Sequence, residues 1–148
     1  MADFSLVVRA GVPLAAGGLV YGLRSGRTIL GALVARLDIL PIASASRLTF
    51  IEGVRRLVPT RALDTLPDAL WSFAVAQVIL WIWSGERAPS RSIWLGLGFA
   101  LAVGWELGQA IRLIPGTFDG ADLVSSASAF ALAVLIDTYR RRSPSCIR

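Results

Sequence analysis

Asp68, Glu106, Gln109, Asp119 and Asp122 stand near the ends of long apolar segments, with Arg112 among them. Carboxylates and an amide in this arrangement accept hydrogen bonds from hydroxyl or ammonium groups, or hold a cation that bridges to phosphate. Two acids can also divide acid and base roles when their environments separate their pKa values. The chain has no histidine, which removes the commonest base near neutral pH, and no nucleophile motif accompanies the acids. A ligand-binding role for these six residues is therefore expected, with no catalytic residue and no metal site assigned. Helix capping accounts equally well for Asp68, Asp119 and Asp122, because a helix N-terminus favours an anion. It does not cover Glu106, which falls inside an apolar run and needs a partner; Arg112 is the nearest candidate.

The elements that must position these groups are membrane helices. Of 148 residues 55% are hydrophobic, and the apolar residues come in runs that approach the roughly 20 residues needed to span hydrocarbon. The expected fold is all-α, a polytopic bundle of about four transmembrane helices in one domain, with one or two interfacial amphipathic helices. Spans are expected near 4–23, 66–84, 92–114 and 119–139. Between the first two, 28–58 places Leu48, Ile51 and Val54 against Arg47, Glu52, Arg55 and Arg56, a pattern suited to lying in the interface plane. Thr65 as N-cap, with Pro67 and Asp68 just inside, marks the start of the second span. Trp81, Trp83 and Trp94 bracket the short link to the third span, as an aromatic belt does.

Small residues recur on the helices. Gly11, Ala15, Gly18 and Gly22 share a face of the first span, and Gly96, Ala100, Gly104 and Gly108 follow at a strict spacing of four in the third. Ala121, Ser125, Ala129 and Ala133 do the same in the fourth. Such stripes let helix backbones approach closely, so Gly18, Gly22, Gly96, Gly104 and Gly108 are expected at helix contacts, with the third helix central. Glu106 and Gln109 point away from its stripe.

All 15 basic residues are arginines, for a net charge of +5. They sit at the ends of apolar runs, where they anchor to anionic headgroups; nucleic acid is not the expected partner. Cys146 is alone, so neither an internal disulfide nor a thiolate metal site can form. Asp3 and Arg9 interrupt what would be a cleavable secretory leader. Arg140-Arg141-Arg142 is the densest basic cluster at the end of a span, which favours cytoplasmic termini.

Glu106-Leu107-Gly108-Gln109, followed by Pro115-Gly116-Thr117-Phe118-Asp119 and Asp122, resembles the signature of VanZ-like membrane proteins. The likeness covers roughly residues 64–136. It departs from that pattern at Gly116, where arginine is common, and at Ser126 and Ala129, where asparagine and glycine are common. The resemblance implies a multi-pass protein of the bacterial inner membrane and supplies no reaction and no cofactor. The function expected is non-enzymatic: a carboxylate pocket for a lipid headgroup or envelope-lipid ligand, with membrane lipids as partners. The alternative is a small accessory subunit of a larger membrane complex, which gains if an outward stripe of small residues has no partner within the chain.

Overall fold

The computed structural model describes residues 6–23, 53, 59–84 and 89–142. Among them there is no strand. Helix α1 (Val12–Leu23) is entered through a π-helical turn, Val7–Gly11, and is followed by α2 (Thr60–Ile82), α3 (Ser90–Ala110) and α4 (Gly120–Arg142). The interfacial segment expected at 28–58 lies, apart from Gly53, outside the described residues, as do Asp3 and Cys146. Helices α2, α3 and α4 are each long and apolar enough to cross a membrane, whereas Val7–Tyr21 is a shorter apolar helix. The expected four spans thus resolve into three long helices and one short one. Leu19, Leu101, Val124 and Leu135 are all more than 60% exposed, a belt that hydrocarbon covers and water does not.

Local chemistry sets the helix ends. Pro13 has no amide to give the Arg9 carbonyl four residues back. The chain widens there, and the Val12 amide reaches the Val7 carbonyl instead, the bonding of a π turn. Helix α2 begins six residues before the expected span. Pro59 is its N-cap, and its carbonyl accepts from the Ala62 and Leu63 amides at 2.9 and 3.2 Å. Thr65 is therefore no cap: its hydroxyl donates back to the Arg61 carbonyl at 3.0 Å, as threonines within helices do. Pro67 lies inside the helix and is fully buried.

Helix α3 stops at Ala110, short of the expected 114, through a Schellman motif. The Leu113 amide donates to the Gly108 carbonyl at 2.8 Å and the Arg112 amide to the Gln109 carbonyl at 3.0 Å. The residue between helix and exit is Arg112, at φ 59°, where glycine is usual. Ile114 then folds back over Gly108, where a β-carbon would collide with it. Asp119 caps α4, its Oδ1 accepting from the Ala121 amide at 2.8 Å.

Helix α2, not α3, is central. It packs against each of the other three helices, most extensively against α4. Ala76 and Ala133 are wholly buried there with Phe130, and Phe73, Leu95, Ala102 and Val134 pack around them. The α4 face that does this is Asp122, Ser126, Phe130 and Ala133. Of the stripe expected through Ala121, Ser125, Ala129 and Ala133, only Ala133 belongs to this face, and the other three lie about one residue, roughly 100°, away from it.

The glycine contacts also differ from expectation. A β-carbon at Gly18, Gly96 or Gly104 would meet nothing within 4 Å, so none of the three lies at a tight helix contact among the described residues. Gly108 is tight against Ile114 of its own exit turn, and the surroundings of Gly22 lie outside the described residues. The close approaches are at Gly17, against Trp71 and Leu70, and at Gly98, against Ile79 and Phe130. At the other end of the α2–α3 hairpin Trp83 and Trp94 stack at 6.1 Å.

Candidate functional site

The antiparallel order of the helices brings the start of α2, the end of α3 and the start of α4 to one end of the bundle. The six residues expected to bind a ligand all lie at that end, but they do not form one pocket.

Gln109, Asp119 and part of Glu106 brace the turn between α3 and α4. Oriented so that both its ends are satisfied, the Gln109 amide donates to the Thr117 carbonyl at 2.9 Å. It accepts from Trp105 Nε1–H at 3.0 Å. The amide of Asp119 donates to Glu106 Oε2 at 3.2 Å. In a capping box the acid three residues past the cap takes that amide, a role the spacing offered to Asp122. Here the acceptor comes from the neighbouring helix. Glu106 thereby helps hold the first turn of α4 onto the last turn of α3. Among the described residues it makes no ion pair with Arg112, which is exposed on the exit turn. That corrects the expected Glu106–Arg112 pairing and removes Arg112 from the pocket. Asp122 is buried in the first turn of α4 and does not line the cleft between α2 and α3.

Asp68 and Glu106 line a cleft of about 280 Å3 between α2 and α3, with Ser126 of α4 at its back. Asp68, Trp71, Ser72 and Val75 recur at helical spacing on the α2 side, and Gly98, Leu101, Ala102 and Trp105 lead up to Glu106 on the α3 side. The deep end closes where Gly98 meets Ile79 and Phe130. The cleft is thus graded. Its mouth carries two carboxylates; Ser72 and Ser126, buried, lie deeper, and the remaining walls are aromatic and aliphatic. Leu101, Val75 and Trp105 are themselves exposed, so the cleft opens sideways onto the apolar belt as well as towards the end of the bundle.

Ser72, Ser126, Trp71 and Trp105 were not expected here. The signal for the serines was present, since Ser72 follows Asp68 and Ser126 follows Asp122 by four residues, one helical turn on the same face. No family model, curated protein or solved structure matches the chain. Function must therefore be argued from the geometry. Among the described residues no three Asp, Glu, His or Cys side chains cluster closely enough to hold a metal ion, which leaves the cation-bridged arrangement without a built site.

Proposed function

We propose that this is a multi-pass membrane protein that binds, without chemical turnover, a lipid whose headgroup presents hydrogen-bond donors. The observation that carries the reading is the grading of the cleft, with Asp68 and Glu106 at its mouth and Trp71, Val75, Leu101 and Ala102 along its walls. Carboxylates only accept, so they select hydroxyls or an amine; the walls suit the first part of an acyl or isoprenoid chain. At about 280 Å3 the cleft is near the lower edge of small-molecule pockets, roughly 300–1,000 Å3. It takes part of a lipid, and the lateral opening leaves the rest in the bilayer. The resemblance to VanZ-like proteins supports a place in the bacterial inner membrane. The density of Arg140–Arg142 supports cytoplasmic termini, which sets the cleft at the outer surface, where envelope-lipid intermediates are handled.

Glu106→Gln tests this reading. Glutamine keeps an oxygen for the Asp119 amide, so the fold should persist with an unchanged melting temperature in detergent. A neutral acceptor replaces a charged one, and affinity for an aminated or glycosylated lipid should fall about tenfold. Lipid retention measured by native mass spectrometry reads the change. Unchanged retention at equal stability would reduce Glu106 to a brace of the turn and defeat the proposal.

A second reading has a specific observation behind it. Among the described residues nothing stands within 4 Å of a β-carbon at Gly96 or Gly104, and with Ala100 they form an open path along α3 on which another helix backbone can pack. Support for an accessory subunit would be an assembly larger than one chain in mild detergent that Gly104→Leu dissolves. A wild-type chain that runs as a monomer in native membrane nanodiscs would remove it.

A further inference from the structure

At the end of the bundle opposite the cleft, the N-terminal turn before α1, the end of α2 and the last turns of α4 enclose a second cavity of about 150 Å3. Its polar lining is Arg9, Gln77, Ser84 and Asp137, with Trp81 at the rim. One water needs about 10–15 Å3 of such space, so the cavity has room for several waters or a phosphoryl group.

Among the described residues, the charges around this cavity do not balance. Asp137 Oδ2 accepts from Arg91 Nη2 at 2.5 Å and from Arg141 Nε at 2.7 Å, and Arg141 Nη1 also donates to the Ser84 carbonyl at 3.1 Å. Two guanidinium groups thus share one carboxylate. Arg9 is a third, and among the described residues it makes no ion pair. Its position follows from the sequence. Arg9 lies within the π turn that directly precedes Val12 and Pro13, and turns of that kind commonly mark functional sites. Gln77 is 5% exposed and donates to the Ala133 carbonyl at 3.4 Å. This amide is therefore fixed in a buried wall of the cavity.

We propose that this cavity binds a phosphoryl anion, with Arg9 as its charged ligand, Ser84 as a hydroxyl donor and the Arg91–Asp137–Arg141 group holding the floor. A guanidinium meets phosphate oxygens through two parallel hydrogen bonds, and the excess positive charge excludes a cation. The source of the phosphoryl group is the headgroup of an anionic phospholipid. The cavity adjoins the stacked Trp83–Trp94 pair and Arg140–Arg142, the side chains that mark a membrane–water interface. Free inorganic phosphate has the same chemistry and is the other possible source. The site shares no residue with the cleft, so its fate is independent of that reading.

The full chain in mild detergent, exchanged with dioleoyl phosphatidylglycerol, dioleoyl phosphatidylcholine or inorganic phosphate, provides the test by native mass spectrometry. Wild type should retain one phosphatidylglycerol about tenfold more tightly than phosphatidylcholine. Arg9→Gln should lose that preference, while Arg142→Gln keeps it. Phosphate that displaces phosphatidylglycerol and depends on Arg9 would keep the anion site and change its source. Equal retention of the two lipids by wild type would overturn the proposal, and this arm does not depend on any variant folding. So would an Arg9→Gln chain that behaves like Arg142→Gln.

Discussion

Gly116→Ala should lower the stability of the chain by about 2–4 kcal/mol, the largest loss expected from a single methyl group here. Two effects add. Gly116 sits at φ 142°, a conformation that side-chain-bearing residues rarely adopt. Its α-carbon also lies against the Gln109 amide, into which a β-carbon would project. Gln109 would have to swing away, giving up both Thr117 and Trp105. The separate parts can be measured. Gln109→Ala removes the obstacle, so the cost of Gly116→Ala should be smaller in that background, a coupling that a double-mutant cycle reads directly. Thermal unfolding in detergent supplies the four values. Strict additivity would mean that the backbone conformation alone requires glycine and that Gln109 does not brace the turn.

The motif that runs from Glu106 to Asp122 was legible in the sequence as a constellation, but its meaning was divided. Spacing alone places Glu106, Gln109, Asp119 and Asp122 at one end of two adjoining helices. It does not say which polar atoms the backbone will claim. The turn of Pro115–Asp119 leaves a carbonyl at Thr117 and an amide at Asp119, and the nearest side chains that satisfy them are Gln109 and Glu106. The turn itself is exposed, and these two bonds fix its geometry at about 0.5–1.5 kcal/mol each. The carboxylates that line the cleft are Asp68 and Glu106, and Glu106 serves the turn as well.

The fold was legible where a single helix carries the signal. Apolar run length located α2, α3 and α4, and tryptophans located the turn between the first two of these. It was less legible where the outcome depends on two helices at once. A glycine stripe is a property of one surface, and whether a partner covers it depends on the others. Gly96, Ala100 and Gly104 make the more regular stripe, yet α2 and α4 meet α3 along Gly98, Phe99 and Val103. The same holds for α4, whose buried face is decided by how Ala133 and Phe130 seat against Ala76. Helix starts failed for a related reason. Thr65-x-Pro67-Asp68 has the composition of an N-terminus, but Pro59 one turn and a half earlier opens the helix first, and nothing in 60–64 stops it.

The contrast between the two kinds of glycine leads to the second large effect, on Gly98. Gly98→Leu should destabilise the bundle by about 1–3 kcal/mol or more, whereas Gly104→Leu should stay within about 0.5 kcal/mol of wild type in the isolated chain. A β-carbon at residue 98 would stand 2.5 Å from Ile79 Cδ1 and 3.4 Å from the Phe130 ring. The Ile79 methyl ends a flexible side chain and can give way to alanine. The remaining carbons of leucine would press on Phe130, which is 3% exposed and meets Phe99 edge-on at 5.6 Å, so it has nowhere to go. The displacement would part α3 from α2 and α4 at the deep end of the cleft. Lipid retention by Gly98→Leu should therefore fall together with its melting temperature, while Gly98→Ala, at milder cost to stability, should shrink the cleft and weaken retention more than it lowers the melting temperature. If Gly104→Leu proves the more damaging of the two substitutions in a monomeric chain, α3 is rotated from the arrangement described, and the cleft with its two carboxylates is not formed.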